Sequence, residues 1–165
     1  MESEAEKLLA EVINARKAFP SPNYKDTLIS NNLAWTYQSN GRWNEAEKLQ
    51  VEVMNARKAS NHPDTLTAMS NLALTYHHQG RWSEAEKLHM EVLNATKAKL
   101  GSNHPFTLPS MNNLALTYWS QGRWNEAEKL HMEVLNARRA KLGFDHPDTL
   151  ISMNNLALTY QRQGR

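Results

Sequence analysis

The phrase SMNNLALTY stands at residues 110–118 and again at 152–160, with a near copy, AMSNLALTY, at 68–76 and a rougher one, SNNLAWTY, at 30–37. Residues 82–123 and 124–165 align without a gap as 42-residue units that differ at nine positions. Residues 43–81 are a third copy, three residues shorter, with KASNHP in place of KAKLGSNHP. Residues 2–42 are a more divergent fourth copy, with Glu2 where the others have Trp43, Trp82 and Trp124. A fixed period of this length makes each unit one supersecondary element, which buries its apolar side only by stacking on its neighbours. The expectation is one repeat domain over residues 1–165, in units 2–42, 43–81, 82–123 and 124–165.

Each unit reads as two helices. The first, here called A, is HPDTLISMNNLALTYQRQG in the last copy. Pro147 suits the first helical turn, where its missing N–H is no loss, and Gly164 suits the stop. The second, B, is WNEAEKLHMEVLNARRAKLG, with acids early and Arg and Lys late, as the helix dipole favours. Gly143 ends it. Only the two residues GR join A to B, so the pair must fold back as an antiparallel hairpin. The order is B, A, B, A, B, A, B, A: an all-α chain of eight helices without strands.

These positions resemble the tetratricopeptide repeat. Leu114, Ala115, Tyr118, Gly122 and Ala127 stand where that motif expects its Leu, small residue, Tyr, Gly and Ala, and Trp124 stands for its usual aromatic. The 42-residue period and the phrases NNLALTY, QGRWNEAEKL and KLGFDHPDTL are similar to the kinesin-light-chain type, a variety that also recurs in arrays attached to nucleotide-binding signalling ATPases. The resemblance implies a right-handed α-solenoid whose A helices line a concave groove, and a protein-interaction scaffold that holds an extended peptide or a partner helix there. A sensor or oligomerisation segment of a larger signalling ATPase is the alternative it leaves open, although these residues hold no nucleotide-binding motif.

On a wheel of about 100° per residue, Leu108, Met111, Leu114, Ala115 and Tyr118 share one arc of the third A helix, the core face. Within that helix the two gapless copies differ at Phe106/Asp148, Pro109/Ile151, Trp119/Gln161 and Ser120/Arg162, all on the opposite arc. Units that diverge along one stripe are released from packing there, either because the stripe is merely solvated or because it meets a ligand. Its large apolar members favour the ligand. The candidate groove residues are Asn31, Asn32, Trp35 and Gln38 in the first A helix, and Ser70, Asn71, Leu74 and His77 in the second. The third supplies Asn112, Asn113, Leu116 and Trp119, and the last Asn154, Asn155, Leu158, Gln161 and Arg162. Asn32, Asn71, Asn113 and Asn155 recur in every copy. An amide donates and accepts together, so a ladder of them would suit a peptide backbone; a bond to a neighbouring helix would explain the recurrence equally. Among tetratricopeptide domains, those that grip a carboxylate carry Lys or Arg beside the Asn, and here the stripe offers only Arg162.

The remaining signals point away from catalysis. The chain has no cysteine, which excludes thiolate chemistry and disulfides. His62, His104 and His146 each precede a Pro, one repeat apart, roughly 10 Å or more in a stack of helices, too far to share one metal. His89 and His131 lie on B helices beside Val92 and Val134, where the tetratricopeptide motif usually has a large side chain; Leu9 and Gln50 replace them in the other copies, so they read as packing residues. Trp43, Trp82 and Trp124 read as core wedges. Pairs such as Glu84 with Lys87 read as solvated helix faces. No phosphate-cradling loop and no nucleophile–base set is present, so neither enzyme activity, cofactor nor metal is expected. The net charge of +2 argues against nucleic acid and membrane as partners. No apolar run reaches the length of a span and no leader pattern opens the chain, so a cytoplasmic setting is expected. Leu150, Met153, Leu156 and Tyr160 of the last A helix lack a following B helix, and the first B helix lacks an A partner before it. The further expectation is that the chain is a segment of a longer array or that its ends stack head to tail on other copies.

Overall fold

A computed structural model describes residues 4–17, 24–59 and 64–165. Among these there are eight helices and no strand: α1 Glu4–Lys17, α2 Tyr24–Ser39, α3 Trp43–Ala59, α4 Thr65–His78, α5 Trp82–Leu100, α6 Thr107–Ser120, α7 Trp124–Leu142 and α8 Pro147–Arg162. They alternate B and A as the repeat requires. Among the described residues, no helix is long and apolar enough to cross a membrane. His62 and Glu2 lie outside the described residues, as do the side chains of Leu9 and Asn31.

The chain divides into two compact units, residues 1–79 and 80–165. Within each, every helix packs on the next in sequence. In the second unit the core forms where α5, α6 and α7 meet: Leu93, Leu108, Met111, Leu114, Val134 and Ala137 pack together, with Tyr118 and Leu130 against them. The core arc read from the wheel is thus the packed face of α6. In the first unit Leu33, Ala34, Ala46, Met69, Leu72 and Ala73 are buried. Ala34, Ala73 and Ala115 are wholly covered because a larger side chain there would hold the adjoining helix away.

The GR joint has a specific geometry. Gly122 adopts φ 76°, a left-handed conformation that a Cβ disfavours. Its N–H donates to the Trp119 carbonyl at 3.1 Å, and the Arg123 N–H to the Tyr118 carbonyl at 2.9 Å. This pair of bonds satisfies the last carbonyls of α6 and turns the chain back. Gly41 and Gly164 repeat it. The Arg that follows is placed by the turn. Arg123 lies over the Tyr118 ring at 4.1 Å, bonds Glu126 of its own helix and reaches Glu86 of α5 at 2.8 Å. That guanidinium holds the Glu126 carboxyl below its ordinary range. Gln121 also donates to Glu86, as Gln163 does to Glu128 and Gln79 to Glu47. Glu47, Glu86 and Glu128, each the second Glu of an EAE, therefore tie their helices to the following A helix. The sequence, through pairs such as Glu84 with Lys87, had suggested only solvated faces for these acids.

The A-helix starts depart partly from expectation. Pro147 occupies the first turn of α8, and His146 caps it, its Nδ1 accepting from the Asp148 N–H at 3.1 Å. In the third repeat α6 begins only at Thr107, beyond Pro105. His104 Nδ1 accepts from Phe106 N there, at 3.2 Å. His146 thus caps its helix, whereas His104 braces the turn that leads into α6.

The tryptophans require correction. Trp82 and Trp124 are 39% and 38% exposed. They are the first residues of α5 and α7, and a helix end leaves one side of a large ring without neighbours. Trp82→Ala is expected to lower stability by about 1–2 kcal/mol, short of the roughly 3–5 kcal/mol of a fully buried ring. Urea titration of the helical signal checks this value.

Candidate functional site

The stripe predicted to face a ligand is built by residues that the core leaves over. In α6, once Leu108, Met111, Leu114 and Ala115 are buried, the helical period turns Asn112, Leu116 and Trp119 outward; all three are half-buried, as is Asn113. In α8, Asn155 is half-buried, whereas Asn154, Leu158, Gln161 and Arg162 are exposed. The two helices bring these groups together. Asn155 Nδ2 donates to Asn112 Oδ1 at 2.9 Å. The Arg162 guanidinium lies 5.0 Å from the centre of the Trp119 ring. Trp119, Leu158, Gln161 and Arg162 line one depression of about 480 Å³. Its floor is apolar, and Arg162 and Gln161 supply donors at its edge, a combination suited to a side chain with a polar neighbour.

The Asn residues divide. Asn112 and Asn155 satisfy part of one another's capacity, so part of the repetition is a helix-to-helix bond. An amide has two donors and an acceptor with two lone pairs, so one shared bond leaves each capacity for more. The backbone carbonyls of the four-fold Asn positions have a separate task. Those of Asn32, Asn113 and Asn155 accept from Thr36, Thr117 and Thr159 at 2.9, 3.0 and 2.9 Å.

In the first unit Asn32 and Trp35 are exposed, Trp35 to 68%, while Ser70, Asn71, Leu74 and His77 are half-buried. The His77 ring meets His78 edge-on at 5.6 Å. Gln38 donates from Nε2 to the Thr75 hydroxyl at 2.6 Å, and that hydroxyl donates to Gln50 Oε1. Gln38, expected on the stripe, is half-buried, and its amide is engaged by the next repeat.

His89 and His131 are buried, 1% and 2% exposed, in the position that Gln50 holds in the preceding repeat. His131 Nδ1 lies 3.0 Å from Thr159 Oγ1. Since Thr159 gives its one proton to the Asn155 carbonyl, Nδ1 carries the hydrogen and donates. Nε2 is then bare, buried and without a hydrogen-bond partner. Burial pushes this imidazole down to about 4. Among the described residues no three His, Asp or Glu side chains gather as a metal-binding group.

The comparisons with known proteins agree with this architecture. The tetratricopeptide repeat family pattern matches residues 28–98, 64–140 and 107–165. No curated protein matches the chain. A Podosopora anserina protein described as a kinesin light chain with nearly identical TPR-like repeats has a crystal structure that is 33% identical, with a TM-score of 0.82 over 98% of this chain and 78% of that one. A single-substitution form of it is 32% identical with a TM-score of 0.84 and the same coverage. A Pyrococcus horikoshii signal transduction ATPase with a tetratricopeptide repeat sensor shares the fold, at 17% identity and a TM-score of 0.77 over 99% of this chain and 25% of that one. With three overlapping family matches and these repeats in common, the chain belongs to the tetratricopeptide repeat family, in its kinesin-light-chain-like form.

Proposed function

We propose that this chain is a non-catalytic cytoplasmic adaptor, and that its A-helix stripe holds an extended peptide or the exposed face of a partner helix. Tetratricopeptide repeats mediate protein–protein interaction, and the observation that carries the finer reading is the depression lined by Trp119, Leu158, Gln161 and Arg162. Large apolar groups beside unspent donors make an anchor site for one side chain and its backbone. The Asn112–Asn155 pair beside it offers further amide capacity. Trp119 and Gln161 occupy the same place in sister repeats, so the fold accepts either residue. Trp119→Gln should therefore weaken groove-bound peptides about tenfold, roughly the loss of one anchor, with an unchanged helical spectrum. Peptides selected from a random display library on the immobilised chain supply the ligands. Selected peptides that all bind Trp119→Gln and the parent chain alike would overturn the groove assignment.

A second reading concerns α8. Leu150 is 47% exposed, whereas its counterpart Leu108 is 5% exposed; Ala157 is exposed, whereas Ala115 is covered. Leu156 is nonetheless buried, and Met153 and Tyr160 are half-buried against α7, so only part of the expected face stands open. In α6 the corresponding face meets a B helix, and α1 of a second copy is a helix of that type. The proposal is a head-to-tail contact, which need not close into a ring. Light scattering over a concentration series should show a rising mass that Leu150→Glu abolishes. A constant monomer mass would remove the proposal.

A further inference from the structure

The nine differences between the gapless repeats are not confined to the stripe. Five of them, Thr96/Arg138, Lys97/Arg139, Ser102/Phe144, Asn103/Asp145 and Phe106/Asp148, lie where a B helix ends and the next A helix begins; Phe106, which the wheel put on the outer arc, stands just before α6 rather than within it. Some of this variation is internal. Arg138 donates to the Asp148 carbonyl at 3.1 Å and to Ser152 Oγ at 2.9 Å, and Arg57 donates to the Asp64 carbonyl at 2.8 Å. The third repeat abandons that tie, having Thr96 for the Arg and Phe106 for the Asp. What takes its place points outward: Phe106 is 73% exposed. The fourth repeat keeps the tie and displays Phe144 instead, 49% exposed. Each loop thus presents one Phe, at a different position, with an exposed Leu before it, Leu100 or Leu142. Folding does not ask for an exposed Phe, still less for one in each loop by two routes.

The two loops lie side by side. Lys141 Nζ donates to the Asn103 carbonyl at 2.6 Å. Arg139 stands over the Phe144 ring at 5.5 Å, and His104 stacks on Phe106 at 5.6 Å. Lys97, Lys99, Arg139 and Lys141 stand in the last turns of α5 and α7, next to these loops, with Lys97 4.0 Å from Glu133. Three carboxylates, Glu133, Asp145 and Asp148, are interspersed. Exposed apolar groups within a mainly cationic rim form an interaction surface rather than a solvated loop. The carboxylates beside Phe144 disfavour an anionic bilayer, which would repel them where Phe144 must insert. A protein segment places its charges individually and avoids that conflict.

We propose that the loop edge formed by Leu100, Phe106, Leu142 and Phe144 is a second docking surface, separate from the A-helix stripe, for an acidic protein segment bearing aromatic or aliphatic anchors. The same random peptide library tests it without relying on the groove. The variant Phe106→Asp/Phe144→Ser borrows each replacement from the sister repeat, so the fold has already accepted both residues. A class of selected peptides should be net acidic with at least one large apolar residue. It should bind the double variant about tenfold less well, a loss on the scale of one or two anchors, bind Trp119→Gln normally, and weaken as salt is raised. Circular dichroism of the double variant confirms that it is folded. Selected peptides that all bind the double variant like the parent chain would overturn the proposal. So would a sensitive class that is neutral or basic, or Phe-dependent binding of phosphatidylserine vesicles with no such peptide class. Because each surface has its own variant, either reading can fail while the other stands.

Discussion

Met111→Ala should lower the stability of the chain by about 2–5 kcal/mol, seen as a lower urea midpoint of the helical signal. Met111 is 1% exposed and packs among Leu93, Leu108, Leu114, Val134 and Ala137. Its removal takes away the transfer energy of the side chain and leaves a cavity between three helices that cannot fully close. Total stabilities of domains are about 5–15 kcal/mol, so this one change should remove a large share. Met153 occupies the same register in α8 but is only half-buried. Met153→Ala should therefore cost about 1 kcal/mol. Similar losses at the two sites would show that α8 is as well covered as α6.

Acid should destabilise the protein well above the range of its carboxylates. An unfolded histidine takes up its proton near pH 6.5, whereas His131 in the fold does so only near 4, because burial opposes the charge. A second proton would also create a charged Nε2–H with no acceptor in its pocket. Between these two pH values the unfolded chain binds more protons, so stability falls as pH falls. The contribution is complete above about pH 6.5 and has gone by about pH 4, roughly 3 kcal/mol at most. Glu126 and Glu128 are also lowered, from their ordinary 4.5, the first by Arg123 and the second by Gln163 and Arg165. Their contributions are present above about 4.5 and disappear only below it, so they leave the window between about 4.5 and 6.5 to His131. His131→Gln uses the residue that the second repeat holds at this place. Urea titrations from pH 7 to 5 should show a smaller loss in this variant than in the parent chain. Equal losses would mean that other histidines set the slope.

Along each single helix the repeat left little undecided. The eight helices, their alternation, the Gly stops and the buried arc of α6 were all legible, because the helical period alone assigns the residues of one helix to its faces. The buried positions of His89 and His131 were legible too, from the motif position they fill and the Leu and Gln that replace them in other copies. What one helix does to another was not legible. A wheel shows that Asn112 and Asn155 point outward, but only the approach of α6 to α8 makes one the partner of the other. It shows Glu86 on a polar side, but only the turn at Gly122 brings Arg123 and Gln121 back onto it. Trp82 and Trp124 sit at the register of packed residues, yet each opens its helix, and the missing preceding turn leaves more than a third of each residue exposed. The Phe106 and Phe144 edge escaped because the two residues occupy different positions in their repeats. Their likeness appears only where Lys141 draws the two loops together, since a pattern read along the chain compares positions, whereas a surface is assembled from whatever the packing brings side by side.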